Sequence, residues 1–597
     1  MIADSPHTIT APKSLNGTVA LAISTFDDQP CICVRPNDAP GELTTGAGSE
    51  TLMIAITFVA ALLLPASGTH AMVATEQRLA TQAGLAVLKA GGNAVDAAVA
   101  VGYALAVVDP CCGNLGGGGF MLIRMHDGRE RFIDFREKAP MRATRTMYLN
   151  ADGSVDPDRS RKGWLAIGVP GSVMGMNRAL AEYGTMSRAR VMQDAVRLAS
   201  NGYVMTPGDL VPFAGSPGEG YSGWSNGSAP HAGDRVVQRD LARSLQAIAQ
   251  YGNAPFYHGW IAHAIVGASN ANHGILQLDD FARYTVDESQ PLHCRYHGYE
   301  VVSAPPPSSG GVTLCETLNI LATSPLSRFR WHSPPETHDV VEAERRAYAD
   351  RNAYLGDPAF VKNPIARLLD PAYAAKLRSG IDRTRATPSK DVKPGLRIDV
   401  HENADTTHYS IVDKDGNAVA VTYTINDWFG SGVVAPGTGF FLNDEMDDFT
   451  AKPGAPNLYG LVQGVRNDVQ PGKRPLSSMA PTIVLRNGKL AMVTGSPGGS
   501  RIITTVLETL LNVFDFGMNV QQAVDAPRIH MQWLPDEIQY EPRALTAATM
   551  AVLRANGYSF KEIPLWGSAQ AIVIDLKTGR LYGGSDRRHP AGAALGY

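Results

Sequence analysis

The chain has 597 residues, long enough for several domains or one large layered domain, and its 53 basic and 57 acidic residues nearly balance. Charged residues make up only 18% of it, without a basic stripe or an acidic tail, so the composition does not favour nucleic-acid binding. The six cysteines are too few for a disulfide framework and lack zinc-ligand spacing, and no HExxH motif occurs, so we expect neither a metal nor another cofactor. We expect Cys294 and Cys315 to be free buried thiols, with a disulfide between them as the alternative.

An apolar run from Leu52 to Leu64 is about as long as the core of a signal peptide and too short to span a bilayer. The small residues that a signal cleavage site requires follow it at positions 66–68. We therefore predict a signal-peptide region over residues 52–68, an N-terminal extension over residues 1–51, and a periplasmic or secreted protein.

Two features of this segment leave alternatives open. No lysine or arginine lies between Arg35 and the apolar run, although signal peptides usually have a basic start. The extension is rich in turn-forming and polar residues, so it is either disordered or the result of a start codon placed before the true one, near Met53. The apolar run would otherwise be a buried strand or helix at the start of the fold.

Further along the chain, apolar spacing predicts two helices followed by two strands. The first helix spans Thr75 to Asn93 and ends in a glycine pair. The second is capped by Asp96 and runs through Ala97–Val108. Four consecutive glycines, 116–119, indicate either a tight turn or a close approach of the backbone to another group. The two strands that follow are Phe120–Ile123 and Phe132–Arg136.

The middle of the chain, about residues 140–390, is predicted to be rich in helices, and the part after it to be rich in strands. The clearest helices of the middle are Val191–Asn201, Asp240–Tyr251 and His338–Tyr354. The later elements are a hairpin of His408–Val412 and Ala418–Thr424, a second pair of strands at Thr482–Arg486 and Lys489–Thr494, and a helix at Ile502–Val513. This order of elements favours stacked sheets between layers of helices.

The first hairpin places Thr406 at the start of one strand and Thr424 near the end of its antiparallel neighbour. A threonine hydroxyl is a weak nucleophile unless a base removes its proton, and an N-terminal threonine supplies that base from its own α-amino group. For Thr406 this chemistry requires the chain to cut itself between Asp405 and Thr406. We interpret the neighbouring His408 as structural, because this mechanism needs no histidine.

The run from Thr406 to Gly430, TTHYSIVDKDGNAVAVTYTINDWFG, closely resembles the signature of the γ-glutamyltranspeptidases, which are N-terminal-nucleophile hydrolases. The resemblance extends from about Met72 to Tyr597. It implies an α+β fold, a four-layer αββα sandwich built by two subunits of one precursor. The large subunit would comprise residues 69–405 and the small, catalytic subunit residues 406–597.

The resemblance also implies a role for each residue that matches a family motif. Thr406 would be the nucleophile, Thr424 would hydrogen-bond to it, and Gly498 and Gly499 would supply the backbone N–H donors of an oxyanion hole. The residues implied in substrate binding are Arg136 for an α-carboxylate, Asp448 for an α-ammonium with Asn426 and Glu445 beside it, Ser477 and Ser478 at the carboxylate end, and Tyr459 in a lid loop, Pro453–Gly460.

Two positions depart from the family pattern. Glu445 stands where some bacterial members have glutamine, although an acid there also suits an ammonium group. Asp427 and Trp428 replace smaller polar residues, which leaves the shape of the acceptor side open.

These motifs together imply a γ-glutamyltransferase and glutathione hydrolase, with glutathione or related γ-glutamyl compounds as donors and amino acids or dipeptides as acceptors. Any one motif alone is typical of an ordinary feature: a Thr-Thr pair suits a strand, Asp-Asp and Gly-Gly pairs suit turns, and an arginine on a strand suits a surface ion pair. One alternative is an acylase of the same architecture that acts on glutaryl or adipyl amides, substrates that lack the α-ammonium. The other is an inactive homologue with a binding or structural role, which the intact set of motifs disfavours.

Overall fold

The computed structural model describes residues 64–213, 230–392 and 406–597, together with two strands near the N-terminus. Those two strands, Leu21–Phe26 and Gln29–Val34, pair antiparallel with each other and belong to the first of two units of the chain, residues 1–63. All features below belong to the second unit, which begins at Leu64. Residues 52–63 of the predicted signal region and Asp405 of the predicted cut lie outside the described residues.

The first of two large sheets, here called the front sheet, has seven strands that pair antiparallel throughout. Its central hairpin carries β-branched and aromatic side chains and is buried at every position on both strands, as expected for a sheet covered on both faces. In spatial order the strands are Ala593–Gly596, Met72–Thr75, Thr407–Val412, Ala418–Thr424, Gly118–Arg124, Glu130–Asp134 and Asp287–Ser289.

The second large sheet, the back sheet, also has seven antiparallel strands. In spatial order they are Leu292–Tyr296, Tyr299–Ser303, Thr482–Arg486, Lys489–Gly495, Gln570–Ile574, Leu581–Ser585 and Ala66–Gly68. The last of these strands lies at the end of the predicted signal region and pairs with Leu581–Gly583. Apolar side chains from the two sheets form one buried cluster between them, among them Leu122, Ala420, Ile483, Val493 and Ile572.

Helices cover the outer face of each sheet, which completes four layers. The helices packed on the front sheet are Arg78–Lys89, Ala94–Val108, Ser172–Tyr183, Gln193–Asn201, Arg239–Tyr251, Ala254–Tyr257 and Trp260–Ala271. Those packed on the back sheet are Gly310–Leu321, Pro334–Tyr354, Pro371–Ser379, Ile502–Phe514, Val520–Asp525 and Ala547–Ala555. The structure thus confirms the predicted αββα sandwich.

Shorter elements connect these layers. The short helices are Pro157–Arg161, Arg188–Val191, Leu278–Ala282 and Ile365–Leu368. The 3-10 turns are Pro207–Phe213, Leu326–Arg328, Ser389–Asp391, Glu445–Asp448, Val465–Asn467 and Gly499–Arg501. Two small sheets consist of Tyr203–Val204 with Arg235–Val236, and of Ile529–His530, Ile538–Tyr540 and Phe560–Glu562. Within the described residues, no helix combines the length and the apolar character needed to cross a membrane.

The predicted helices are present, with corrected ends. The first is shorter than predicted, because Met72–Thr75 joins the front sheet before the helix begins. The second begins at Ala94 and is capped by Asn93, so the predicted cap at Asp96 was wrong. Asp96 instead accepts from the backbone N–H of Asn93, the reciprocal half of a capping box. The predicted helix Val191–Asn201 is interrupted at Met192, and only Gln193–Asn201 is continuous.

The prediction of free thiols at Cys294 and Cys315 was wrong. The two cysteines form a disulfide that joins the edge strand Leu292–Tyr296 to the helix Gly310–Leu321 packed behind it. Cys111 and Cys112, adjacent in the sequence, form a second disulfide. The spacing of the cysteines did not reveal either bond, since pairing depends on where the strand and helix place the two Cβ atoms.

Candidate active site

The central hairpin of the front sheet brings the two predicted threonines together. Thr407 pairs with Tyr423, so Thr406 and Thr424 face each other across the open end of the hairpin. The Thr424 hydroxyl donates to Thr406 Oγ1 over 3.3 Å, and the backbone N–H of Asn426 donates to Thr424 Oγ1 over 2.8 Å. Thr406 is 5% exposed. The predicted contact between the threonines is therefore present.

The four consecutive glycines, 116–119, mark a close backbone approach rather than a turn. A Cβ atom on Gly117 would lie 1.8 Å from the carbonyl oxygen of Thr424, and one on Gly119 would lie 2.4 Å from that of Thr422. Any larger residue at these positions would push the neighbouring strand away from the hairpin. The glycines thus allow the chain to pass against the strand that ends in Thr424.

Arg136 lies just past the end of the strand Glu130–Asp134 and is fully buried. Its backbone N–H donates to Asp134 Oδ1 over 2.8 Å, and its carbonyl accepts from the hydroxyl of Tyr284 over 2.8 Å. Its guanidinium hydrogen-bonds to the carboxylates of both Glu445 and Asp448. The backbone contacts hold the arginine in place, and the two acids orient its side chain.

Burial dominates the ionisation of the acids around Arg136. It raises the pKa of Glu445 well above the usual range, and Arg136 opposes this increase only in part. Burial likewise raises the pKa of Asp448, against the lowering effect of Arg136. Glu137, whose carboxylate lies 3.7 Å from Arg136, has its pKa raised to about 7 by burial. Because three buried acids lie close to this one arginine, an additional cationic group would be stabilised among them.

The segment predicted to be a lid, Pro453–Gly460, contacts residues beside this cluster. The hydroxyl of Tyr459, which is 4% exposed, hydrogen-bonds to the side-chain oxygen of Asn426. Asn426 itself has a left-handed backbone, with φ of 79°. The lid is fixed further by the N–H of Leu458, which donates to Asp447 over 2.8 Å. Burial raises the pKa of Asp447 to about 6.

The two predicted serines line the same cavity as Arg136. Ser478 Oγ accepts from Arg351 over 3.0 Å, and the same guanidinium donates to Ser309 Oγ over 2.9 Å. The carbonyl of Ser477 accepts from the backbone N–H of Ser309 over 2.7 Å. Arg351 is buried, and burial lowers its pKa to about 10. This arginine therefore holds the serine pair against the helix Pro334–Tyr354.

The predicted glycine pair lies at the beginning of the helix Ile502–Phe514. Both glycines adopt positive φ, 129° at Gly498 and 54° at Gly499, conformations that L side chains rarely adopt. Gly499 lines the same cavity as Thr406, whereas Gly498 is not among the lining residues. The first backbone N–H groups of a helix have no partner within the helix, and they are suited to a developing negative charge.

Together these residues line a narrow cavity with a volume of about 10 Å³. Its lining includes every predicted site residue except Gly498 and Asp405: Thr406, Thr424, Arg136, Asn426, Glu445, Asp448, Tyr459, Ser477, Ser478 and Gly499, joined by Met479 and Ile502. A second cavity, of about 370 Å³, is lined by Asp447, Asn457 and Leu458 among others, and the two threonines do not line it.

The structure adds supporting residues that the sequence reasoning missed. Arg351 contacts Ser478, Glu137 lies beside Arg136, and Arg474 donates to the backbone carbonyl of Arg136 while pairing with Asp134 at 3.2 Å. Arg474 belongs to the motif that contains the two serines, so its position in that motif could have identified it as a residue near the site. Arg351 lies on a helix far from every motif, and the sequence offers no comparable signal for it.

His408 is buried and has its pKa lowered to about 3 by burial. Its two ring nitrogens hydrogen-bond to Thr422 Oγ1 at 2.8 Å and Ser410 Oγ at 3.1 Å. It bridges polar side chains within the hairpin and does not line the cavity.

An αββα sandwich with a threonine hydroxyl at the head of a central strand, beside a second hydroxyl and a helix start, defines the N-terminal-nucleophile hydrolases. Residues 80–596 match the family model described as gamma-glutamyltranspeptidase. The chain belongs to the γ-glutamyltranspeptidase family.

Similar proteins agree with this assignment. A glutathione hydrolase proenzyme of Pseudomonas sp. (strain A14) is 50% identical over 554 residues, which cover 90% of this chain and 96% of the relative. The glutathione hydrolase proenzyme of Escherichia coli (strain K12) is 47% identical over 541 residues, covering 89% and 93%. The crystal structure of a cephalosporin acylase from Bacillus halodurans superposes with a TM-score of 0.76 at 27% identity, covering 94% of this chain and 99% of that one.

Proposed function

We propose that this protein is a γ-glutamyltransferase and glutathione hydrolase. The observation that carries the proposal is that Arg136, Glu445 and Asp448 line one cavity with Thr406. A γ-glutamyl donor bears a carboxylate and an ammonium on one carbon, two methylene groups from the amide to be cut. A cavity with an arginine, two acids and a nucleophilic hydroxyl matches all three features of that donor.

In this proposal Arg136 binds the α-carboxylate of the donor, assisted by Ser477 and Ser478. Asp448 receives the α-ammonium, with Glu445 beside it. The guanidinium offers paired, planar donors to a carboxylate, and a buried carboxylate pairs with an ammonium. Arg136 and Asp448 form an ion pair with each other in this structure. When the donor binds, its carboxylate takes the place of Asp448 beside Arg136, and its ammonium takes the place of Arg136 beside Asp448.

The γ-glutamyl amide is then cleaved at Thr406, at the open end of the hairpin. Thr406 Oγ1 attacks the γ-carbonyl carbon while Thr424 orients the hydroxyl, and the backbone N–H groups of Gly498 and Gly499 stabilise the oxyanion. The amine leaves with a proton, which gives a glutamyl ester on Thr406. Water, or the amine of an amino acid or dipeptide, attacks that ester and regenerates the hydroxyl. Tyr459 covers the donor head during these steps.

The base in this scheme is the α-amino group of Thr406, so the chain must be cut before that residue. We infer autocleavage between Asp405 and Thr406, which yields a large subunit that ends at Asp405 and a small subunit of residues 406–597. The relatives named as proenzymes support this inference.

The alternative is an acylase of glutaryl or adipyl amides, and the structural likeness to a cephalosporin acylase keeps it open. The two acids that pair with Arg136 favour the amino-acid donor, since a glutaryl group has no ammonium to place beside them. The test compares hydrolysis of γ-glutamyl-p-nitroanilide and glutaryl-p-nitroanilide. We expect kcat/KM for the glutaryl compound to be at least 30-fold lower, about 2 kcal/mol for a lost charged contact.

Asp448→Asn provides the matched variant for this test. It should reduce kcat/KM for the γ-glutamyl compound far more than for the glutaryl compound, because only the first has an ammonium to lose its partner. Equal rates on both amides in the wild type would favour the acylase instead.

We further propose that the protein is exported. Two disulfides, Cys111–Cys112 and Cys294–Cys315, suit an oxidising compartment, and the apolar run of residues 52–64 suits a signal peptide. Because Ala66–Gly68 is a strand of the back sheet, removal of a leader preserves the sheet only if the cut precedes Ala66. N-terminal sequencing of the protein from the periplasmic fraction tests this, and recovery only from the cytoplasm would contradict export.

A further inference from the structure

The disulfide between Cys111 and Cys112 lies directly behind the active-site segment. The two cysteines follow the helix Ala94–Val108 and are 1% and 3% exposed. A disulfide between adjacent residues closes a small ring around the peptide bond that joins them. It therefore restricts the directions of both cysteine carbonyl groups more than two thiols would.

Both of those carbonyl groups hold the chain that follows Thr424. The Cys112 carbonyl accepts from the backbone N–H of Ile425 over 3.1 Å, and the Cys111 carbonyl accepts from that of Phe429 over 2.8 Å. The two hydrogen bonds bracket the short segment between Ile425 and Phe429. Within that segment lies Asn426, which lines the cavity.

Asn426 connects this segment to the nucleophile Thr406, so a shift of the segment would act on the reaction through Asn426. Its N–H donates to Thr424 Oγ1 over 2.8 Å, and that hydroxyl donates to Thr406. Its side-chain oxygen accepts from Tyr459 of the lid. A displacement at Asn426 therefore affects both the orientation of the nucleophile and the closure of the lid.

We propose that the Cys111–Cys112 disulfide is a positioning element for the substrate-binding segment Ile425–Phe429, an inference that rests on the proposed γ-glutamyl donor. Two thiols need more separation than two bonded sulfurs, and in a site this tightly buried the extra volume must be taken up by the backbone. A thiol on Cys111 would also gain an acceptor, because its sulfur lies 3.2 Å from Asp109 Oδ1. Loss of the bond thus shifts the two carbonyl groups that hold the segment.

The double variant Cys111→Ser/Cys112→Ser tests the proposal. We expect the KM for γ-glutamyl-p-nitroanilide to rise at least tenfold, because Asn426 lines the cavity proposed for the donor, and kcat to fall by a smaller factor, because Asn426 reaches Thr406 only through Thr424. The matched control is Cys294→Ser/Cys315→Ser, which removes the disulfide at the sheet edge, and neither of these cysteines lines the cavity. That control should lower the thermal midpoint and leave the KM within twofold. A KM within twofold in both variants would overturn the proposal.

A second measurement covers the case in which the first variant does not fold. Dithiothreitol reduces the disulfide of the wild-type protein to two thiols. In the same reaction the two thiols of dithiothreitol are oxidised to a cyclic disulfide. Alkylation and mass spectrometry then count the thiols that formed at Cys111 and Cys112. Reduction should raise the donor KM, and reoxidation with diamide should restore it. A KM that does not change although the reduced pair is detected would also overturn the proposal.

Hydrogen exchange separates this inference from the proposed function. The backbone amides of Ile425 and Phe429 should exchange faster when the pair is reduced, whatever the enzyme cleaves. A wild-type protein without γ-glutamyl hydrolysis would contradict the proposed function alone. Unchanged exchange at both amides would contradict the positioning role.

Discussion

Arg136 and Asp448 hydrogen-bond to each other inside the cavity that contains Thr406. The family resemblance assigns these two side chains to opposite charges of the donor head. A zwitterionic head would replace this internal ion pair with two ion pairs of its own, so the cavity keeps its charge balance when the donor binds. A ligand with only the carboxylate would instead leave Asp448 and Glu445 buried beside it without their cation.

The shape of the guanidinium leads to the first prediction. Arg136→Lys should raise the donor KM at least tenfold, about 1.4 kcal/mol, because an ammonium is a point charge and cannot offer paired planar donors to a carboxylate. Steady-state kinetics with γ-glutamyl-p-nitroanilide measure the effect. Arg131→Lys is the control, since Arg131 lies on the strand that ends just before Arg136 but pairs with Glu288, and its side chain is 34% exposed. Similar KM values in both variants would place the carboxylate site elsewhere.

The second prediction concerns the precursor. The Thr406→Ala variant should run as one uncut chain on a denaturing gel and should have no activity in solution. The reason is that it lacks the hydroxyl proposed for both cleavage and catalysis. Thr406→Ser keeps a hydroxyl at the same position and should be cut, at least slowly. Two subunits in the alanine variant would disprove the assignment of the nucleophile.

The third prediction is the dependence of activity on pH. The α-amino base must be neutral to accept a proton, so kcat/KM should rise with pH through the pKa of an amino terminus, about 7.7–8. His408 cannot supply this ionisation, since burial lowers its pKa to about 3 and it is neutral throughout the range. Measurement from pH 6 to 9 in the wild type and in His408→Gln should therefore give the same midpoint. A flat profile in the wild type would argue against the α-amino base.

The fourth prediction tests the lid. Tyr459→Phe removes the hydroxyl that binds the Asn426 side chain, a net hydrogen bond worth about 1 kcal/mol, so the donor KM should rise about fivefold. Tyr409→Phe is the matched control, because this buried hydroxyl has no hydrogen-bond partner among the described residues. A KM change in the control as large as in Tyr459→Phe would show that the effect is not specific to the lid.

The sequence predicted the hairpin of the front sheet well, because its strands are continuous β-branched and aromatic runs joined by a short local turn. It did not predict Leu292–Tyr296 and Tyr299–Ser303, which lie in the region assigned to helices. These strands are short, and one of them pairs with Thr482–Arg486, far along the chain. Pairing of this kind is set by tertiary contacts and leaves little local signal.

In the candidate site, too, some residues could be predicted from local sequence motifs and others depend on tertiary contacts. Residues within the family motifs, such as Thr424, Arg136 and Asp448, line one cavity, and each of them could be named from its motif alone. The direct bond from Arg136 to both acids was not expected, since motif matching gives positions and not side-chain partners. Arg351 was missed because only the packing of its helix against the back sheet brings it to Ser478.

The strand order has a consequence for how the two proposed subunits could ever be separated. In the front sheet, Met72–Thr75 of the large subunit lies between Thr407–Val412 and Ala593–Gly596 of the small one and pairs with both. The back sheet likewise joins Tyr299–Ser303 to Thr482–Arg486. Neither piece could leave without breaking a sheet, so dissociation and denaturation would be a single event. Dilution should not weaken the heterodimer, and halves expressed in separate cells should not recombine into active enzyme on simple mixing.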